Sequence, residues 1–85
     1  MRKYSCEDFR PVRAESLTDA AGIFALRKAR RIYGRNAVVG TLRCNASTRS
    51  GDMGQWDTFL GTTSRDGDGI VGANNYLHVY LEEGR

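Results

Sequence analysis

The amino-acid sequence predicts a two-layer α+β domain in which one long helix packs on a four-stranded antiparallel sheet, in the order β-α-β-β-β. This prediction depends on one segment with helical periodicity and capping residues at both ends, and on later segments in which apolar and polar residues alternate. The chain has 85 residues, of which 40% are hydrophobic and 27% are charged. That length suits one hydrophobic core, so residues 1–85 are expected to form a single domain.

The first strand is predicted over residues 4–12, where apolar residues recur through a charged segment. Pro11 has no backbone N–H and therefore restricts the end of this strand to the edge of a sheet. Three further strands are predicted over residues 37–46, 55–62 and 76–81, because their side chains alternate between apolar and polar types. The polar residues 47–54 are typical of a hairpin connection.

The helix is predicted from Leu17 to Tyr33 because both of its ends carry capping residues. Ser16 and Asp19 form a variant of the capping box, in which the hydroxyl accepts the amide three residues on and the carboxylate complements the positive helix end. Gly34 suits the position after the last turn. The arc without charges is expected to face the core; it contains Thr18, Ala21, Gly22, Ala25, Leu26, Ala29, Ile32 and Tyr33. Ile23 and Phe24 lie on the remaining arc with the cations and are expected to be satellite core residues rather than partner contacts.

The glycine-rich residues 61–75 are expected to form a long loop, and long ordered loops are often functional. Cys6 and Cys44 are expected to be reduced, as two small core residues, because the N-terminus has no apolar run typical of a secretory signal. No apolar stretch is long enough to span a bilayer. These observations predict a cytoplasmic protein without a membrane partner.

Enzymatic chemistry is not expected, because the sequence offers no nucleophile, base and orienting group at a recognisable spacing. His78 is the single histidine, and two cysteines 38 residues apart do not make a zinc site. Asp66 and Asp68 are expected to form part of a turn rather than a calcium loop, since the closing glutamate of such a loop is absent. The sequence therefore predicts no catalytic residue, no metal, no cofactor and no small-molecule substrate.

Two groups of residues indicate binding instead. The first is a basic helix end, in which Arg27, Arg30 and Arg31 project on one side and match phosphates or carboxylates; the group contains Arg27, Lys28, Arg30, Arg31 and Arg35. Cations near a helix C-terminus are also favoured by the dipole, but four within five residues exceed that need.

The second group lies on the sheet face opposite the helix. If Leu77 and Val79 point inward, this face presents Tyr76, His78 and Tyr80, together with Arg43 and Phe59 from neighbouring strands. Aromatic rings that alternate with arginine on an open sheet are typical of surfaces that stack bases. The same residues also suit cross-strand pairing or a protein interface.

The segment Pro11-Val12-Arg13-Ala14-Glu15-Ser16-Leu17, followed by a basic helix, a Gly40-Thr41 strand and a Trp56-bearing strand, resembles small phage and mobile-element proteins. In particular, this order is similar to a compact family of anti-CRISPR inhibitors of type I systems. The resemblance implies a stoichiometric inhibitor that sits on a CRISPR surveillance complex and blocks hybridisation to target DNA. Because this chain has a net charge of +3, such an inhibitor would bind acidic protein residues, the guide RNA backbone or DNA itself.

The sequence thus predicts a non-enzymatic binding protein of a phage or mobile element, acting in the bacterial cytoplasm as an anti-CRISPR inhibitor. The alternative is a free-standing nucleic-acid-binding module that uses the basic helix face.

Overall fold

The fold is an α+β sandwich of two layers, seen in a computed structural model that describes residues 1–64, 67 and 69–82. One helix packs against an antiparallel sheet, which confirms the predicted fold class. The predicted four strands and their order are wrong, because the described residues form six strands. Along the chain the elements are β1 (Arg2–Cys6), β2 (Val12–Ala14), α1 (Leu17–Tyr33), β3 (Ala37–Val39), β4 (Arg43–Ser47), β5 (Met53–Thr63) and β6 (Ile70–Leu81).

The sheet is organised around the long hairpin formed by β5 and β6, which pair from Met53 and Tyr80 at one end to Thr63 and Ile70 at the other. The strands lie side by side in the order β2-β1-β6-β5-β3, and β4 also pairs with β5. β3 and β4 lie one after the other along the same edge of β5, because they pair with its residues 60–62 and 54–57.

The helix has the predicted bounds, and both capping residues act as expected. The Ser16 hydroxyl accepts a hydrogen bond of 3.1 Å from the Asp19 amide, which satisfies one of the free N–H groups of the first turn. Gly34 has a φ of 86°, a conformation that glycine adopts at little cost. Its N–H donates to the Arg30 carbonyl at 2.9 Å and closes the last turn.

The side of the helix that faces the core differs from the prediction. Leu26 and Ile32 are 38% and 51% exposed, whereas Phe24 is fully buried. The prediction was wrong because it excluded every charged position, and Lys28 lies in the middle of the true core-facing stripe with its stem packed and its ammonium group at the rim. The buried helix residues are Leu17, Ala20, Ala21, Phe24, Ala25 and Ala29.

The first predicted strand is in fact a hairpin of β1 and β2. The chain turns after Cys6, where the Phe9 amide donates to the Cys6 carbonyl at 3.1 Å and Glu7 adopts a positive φ of 51°. Tyr4 then pairs with Val12 across the hairpin. Turn-forming residues therefore override the run of apolar residues that predicted one continuous strand.

Two other elements also differ from the prediction. The strand expected over residues 37–46 is divided into β3 and β4, and between them the Gly40 amide donates to the Phe59 carbonyl at 2.7 Å. Most of the loop expected over residues 61–75 belongs to β5 and β6, because cross-strand pairing outweighs the glycine content. Asp66 and Asp68 lie outside the described residues.

The core lies between α1 and the inner face of the sheet. Trp56, Leu60, Leu77 and Val79 are at most 2% exposed and face the helix. The cysteines differ from each other: Cys6 is buried, whereas Cys44 lies exposed on β4, so the prediction of a core residue is wrong for Cys44. Burial raises the pKa of the Cys6 thiol to about 11, which makes this thiol unreactive at neutral pH.

Candidate binding surfaces

The structure places the nine predicted partner-binding residues on two opposite sides of the molecule. Four of the basic residues lie on the helix and Arg35 follows its end, whereas Arg43, Tyr76, His78 and Tyr80 belong to the sheet. The two groups therefore form separate surfaces, and each is described by itself.

Residues 7–10, here called the 7–10 turn, contact the basic end of the helix. Arg31 donates to the Asp8 carboxylate at 2.8 Å, and its guanidinium lies 3.9 Å from the centre of the Phe9 ring. The Phe9 ring in turn packs against Phe24 at a centroid distance of 6.1 Å. The hydrogen bond from Arg31, and then its charge, lower the pKa of Asp8. Arg31 therefore stabilises the packing of the 7–10 turn against the helix.

Lys28 has a similar structural role one turn earlier. Its ammonium group lies 2.8 Å from the Glu7 carboxylate and donates to the Tyr76 carbonyl at 3.2 Å. Only 20% of its side chain is exposed. Lys28 thus joins the helix to the 7–10 turn and to β6, which explains its charge without a binding partner.

The other three cations of the basic group make fewer polar contacts among the described residues. Arg27 donates to the Arg10 carbonyl at 3.3 Å, while the side chains of Arg30 and Arg35 have no ion-pair or hydrogen-bond partner among the described residues. Ile23 and Leu26 are 37% and 38% exposed on the same outer side of the helix. The outer side of α1 is consequently a mixed apolar and basic strip rather than a concentrated basic face.

The other side of the sheet, here called the open face, has a different character, because α1 packs against the opposite side. Cross-strand partners share a face, so pairing of Met53 with Tyr80, Gln55 with His78 and Asp57 with Tyr76 places all six side chains on the open face. Tyr76 and Tyr80 are 48% and 42% exposed. The open face therefore presents an aromatic row along β6.

His78 is the central and least accessible member of that row. Its ring contacts the edge of Tyr80 at a centroid distance of 5.9 Å, and it is only partly exposed. Its Nε2 atom is buried and has no hydrogen-bond partner among the residues that the structure describes. A buried nitrogen without a partner costs free energy unless a ligand or water satisfies it.

Cations border the aromatic row at both ends. Arg43 lies opposite Asp57 in the register of β4 and β5, next to Tyr76. Lys3 lies opposite Arg13 in the register of β1 and β2, and this position is near Tyr80. The structure thus brings Arg43, Tyr76, His78 and Tyr80 onto one surface, together with Phe59 beside Asn74.

Sequence reasoning missed the cations at the N-terminal end of this surface. Arg2, Lys3 and Arg13 line a cleft of about 460 Å³ that also contains Asp52. Lys3 lies 3.3 Å from Glu82, whose pKa is lowered first by the Ser5 hydroxyl and then by Lys3. The β1–β2 hairpin brings these cations together, and the turn-forming Glu7-Asp8 pair before Pro11 was the signal that could have predicted it.

The described residues contain no group of three or more histidine, cysteine and carboxylate side chains placed to hold a metal ion. Among them there is also no helix with the length and apolar character needed to cross a lipid bilayer. No protein-family model, curated protein sequence or solved structure matches this chain.

Proposed function

We propose that this chain is a non-enzymatic module that binds single-stranded nucleic acid across the open face of its sheet. The observation that carries the proposal is the aromatic row in which Tyr76 and Tyr80 are exposed and His78 is partly exposed, with cations at both ends. Unstacked bases pack on aromatic rings of this kind, and neighbouring Lys and Arg side chains contact the phosphates.

The dimensions of the row support this function. Alternate residues of a strand are about 6.8 Å apart, so Tyr76 and Tyr80 span about 14 Å. Sheet surfaces of similar aromatic content stack two or three bases. Arg13 lies at the Tyr80 end and Arg43 lies at the Tyr76 end, whereas Lys3 beside Arg13 is paired with Glu82. Phosphates on either side of the stacked bases would thus meet an arginine.

The helix end is the weaker candidate for the same partner. Lys28 and Arg31 are neutralised by Glu7 and Asp8, so they have less charge to offer to phosphates. The alternative module that uses the basic helix face would depend mainly on Arg27, Arg30 and Arg35.

Fluorescence anisotropy with labelled single-stranded DNA and RNA of about ten nucleotides tests the proposal. Tyr80→Ala and Tyr76→Ala are each expected to weaken binding by about 5- to 150-fold, which corresponds to about 1–3 kcal/mol per stacked base. Tyr80→Phe is the matched control, because it keeps the ring and should retain affinity. Arg30→Ala should also bind normally.

Salt dependence gives a second measurement on the same complex. If Arg13 and Arg43 contact about two phosphates, the logarithm of the binding constant should fall with the logarithm of salt concentration with a slope of about −1.4. Normal binding by both alanine variants at Tyr76 and Tyr80, or weak binding by Arg30→Ala alone, would contradict the proposed surface.

A second candidate function is the inhibition of a CRISPR surveillance complex that the resemblance implies. The observation that favours it is the strip on the outer side of α1, because exposed Ile23 and Leu26 beside Arg27 and Arg30 have the composition of a protein interface. An acidic subunit surface would suit this strip. The charge reversals Arg27→Glu and Arg30→Glu should abolish copurification with a type I complex and restore target DNA binding by that complex.

A further inference from the structure

Strand β6 has a long edge that no described strand pairs with. β1 pairs only with residues 79–81 of β6, whereas β5 pairs with β6 along its entire length. Among the described strands, residues 70–76 are therefore paired on one side only. This segment is here called the free edge.

The backbone direction along the free edge follows from its known contacts. The Tyr76 carbonyl accepts a hydrogen bond from Lys28, which reaches it from outside the β5–β6 pair. The Leu81 amide, at an odd position, instead donates toward β5, to the Asp52 carbonyl. Because N–H and C=O groups alternate in direction along an antiparallel strand, Ile70, Gly72 and Asn74 direct theirs outward.

The composition of the free edge leaves it unprotected against pairing. Natural sheets blunt their edges with charged residues, proline, bulges or short strands, and residues 70–76 contain neither a charge nor a proline. Ile70 and Val71 are 55% and 53% exposed. Lys28 caps only the Tyr76 end.

The other sheet edges carry the usual protection. β2 and β3 have only three residues each, and β2 also presents Arg13. β4 presents Arg43 and has a register shift between Cys44 and Ala46. The free edge of β6 is thus the one described edge that is long, uncharged and regular.

We propose that the free edge pairs with the free edge of a second copy of this chain, in an antiparallel arrangement with the two-fold axis at Gly72. A two-fold interface places the same segment on both sides, and an uncharged segment does so without like-charge repulsion. With Gly72 at the axis, outward-directed Ile70 lies opposite Asn74 of the other copy. The sheets then join into one, and their open faces lie on the same side.

Sedimentation equilibrium over about 1 µM to 1 mM tests the proposal on the full chain. The 9.5 kDa chain is expected to show twice its mass at the upper concentrations. A monomer throughout this range would overturn the proposal and leave the free edge to another protein strand or to solvent.

Two double variants test the register, because residues 70 and 74 lie opposite each other only when the axis is at Gly72. The variant I70K/N74K places lysines opposite each other and should weaken dimerisation at least tenfold, since like charges in opposed positions repel. The matched variant I70K/N74E places Lys opposite Glu and should dimerise normally. Both positions are exposed, and circular dichroism checks that both variants fold. Equal dimerisation of the two variants would overturn the proposed pairing.

Discussion

The helix side and the open face both combine cations with aromatic rings, but they use them differently. On the helix side, Arg31 covers the ring of Phe9 and pairs with Asp8, so ring and charge satisfy each other within the chain. On the open face, Tyr76 and Tyr80 stay nearly half exposed. A dense run of cations can therefore stabilise the fold through contacts within the chain. A sparser set of cations beside exposed rings is better placed to bind a partner.

The largest expected effect is a difference in the free energy of unfolding between a variant of the helix side and a variant of the open face. Phe24→Ala should lower the free energy of unfolding by about 3–5 kcal/mol, because it leaves a cavity where a fully buried ring meets Phe9. Tyr80→Ala on the open face should change it by less than about 0.5 kcal/mol. Urea denaturation measures both variants. A Tyr80→Ala variant as unstable as Phe24→Ala would contradict the claim that the open-face rings contribute little to folding.

The second prediction compares two cations of the same helix. Lys28→Ala should lower the free energy of unfolding by about 1.5–3 kcal/mol, because it removes charged hydrogen bonds to Glu7 and to the Tyr76 carbonyl. Arg30→Ala removes the same charge from an exposed position and should stay within about 0.5 kcal/mol of the parent. Equal losses in the two variants would mean that the helix cations act only through the helix dipole.

The smallest effect concerns pH and the Asp8 carboxylate. Its pKa is lowered in the folded chain by Arg31, so ionised Asp8 stabilises the fold above its unfolded pKa. This contribution is lost as the pH falls through the lowered folded value. In an Arg31→Ala variant, the pKa of Asp8 measured by NMR should return toward its ordinary value, and stability should fall less steeply in acid. An unchanged Asp8 pKa would remove Arg31 as the cause.

Features that depend on nearby residues could be predicted from the sequence. Ser16 and Gly34 define the ends of the helix through hydrogen bonds to residues three or four positions away. Alternation placed Trp56 and Leu60 on one face of their strand, and Leu77 and Val79 on one face of theirs. The candidate residues Tyr76, His78 and Tyr80 were predictable for the same reason, since a period of two places them on one face of a strand.

Which charges have partners within the chain, and which strands pair with each other, depends on contacts between distant residues. Glu7 and Lys28 are 21 residues apart, and Asp8 and Arg31 are 23 apart, so no local pattern could show that the basic helix end has acidic partners within the chain. Likewise, pairing with β5 extends β6 to Ile70, through a segment whose glycines predict a loop. Local hydrogen bonds and periodicity are written in adjacent residues, whereas ion pairs and strand neighbours depend on how the whole chain packs.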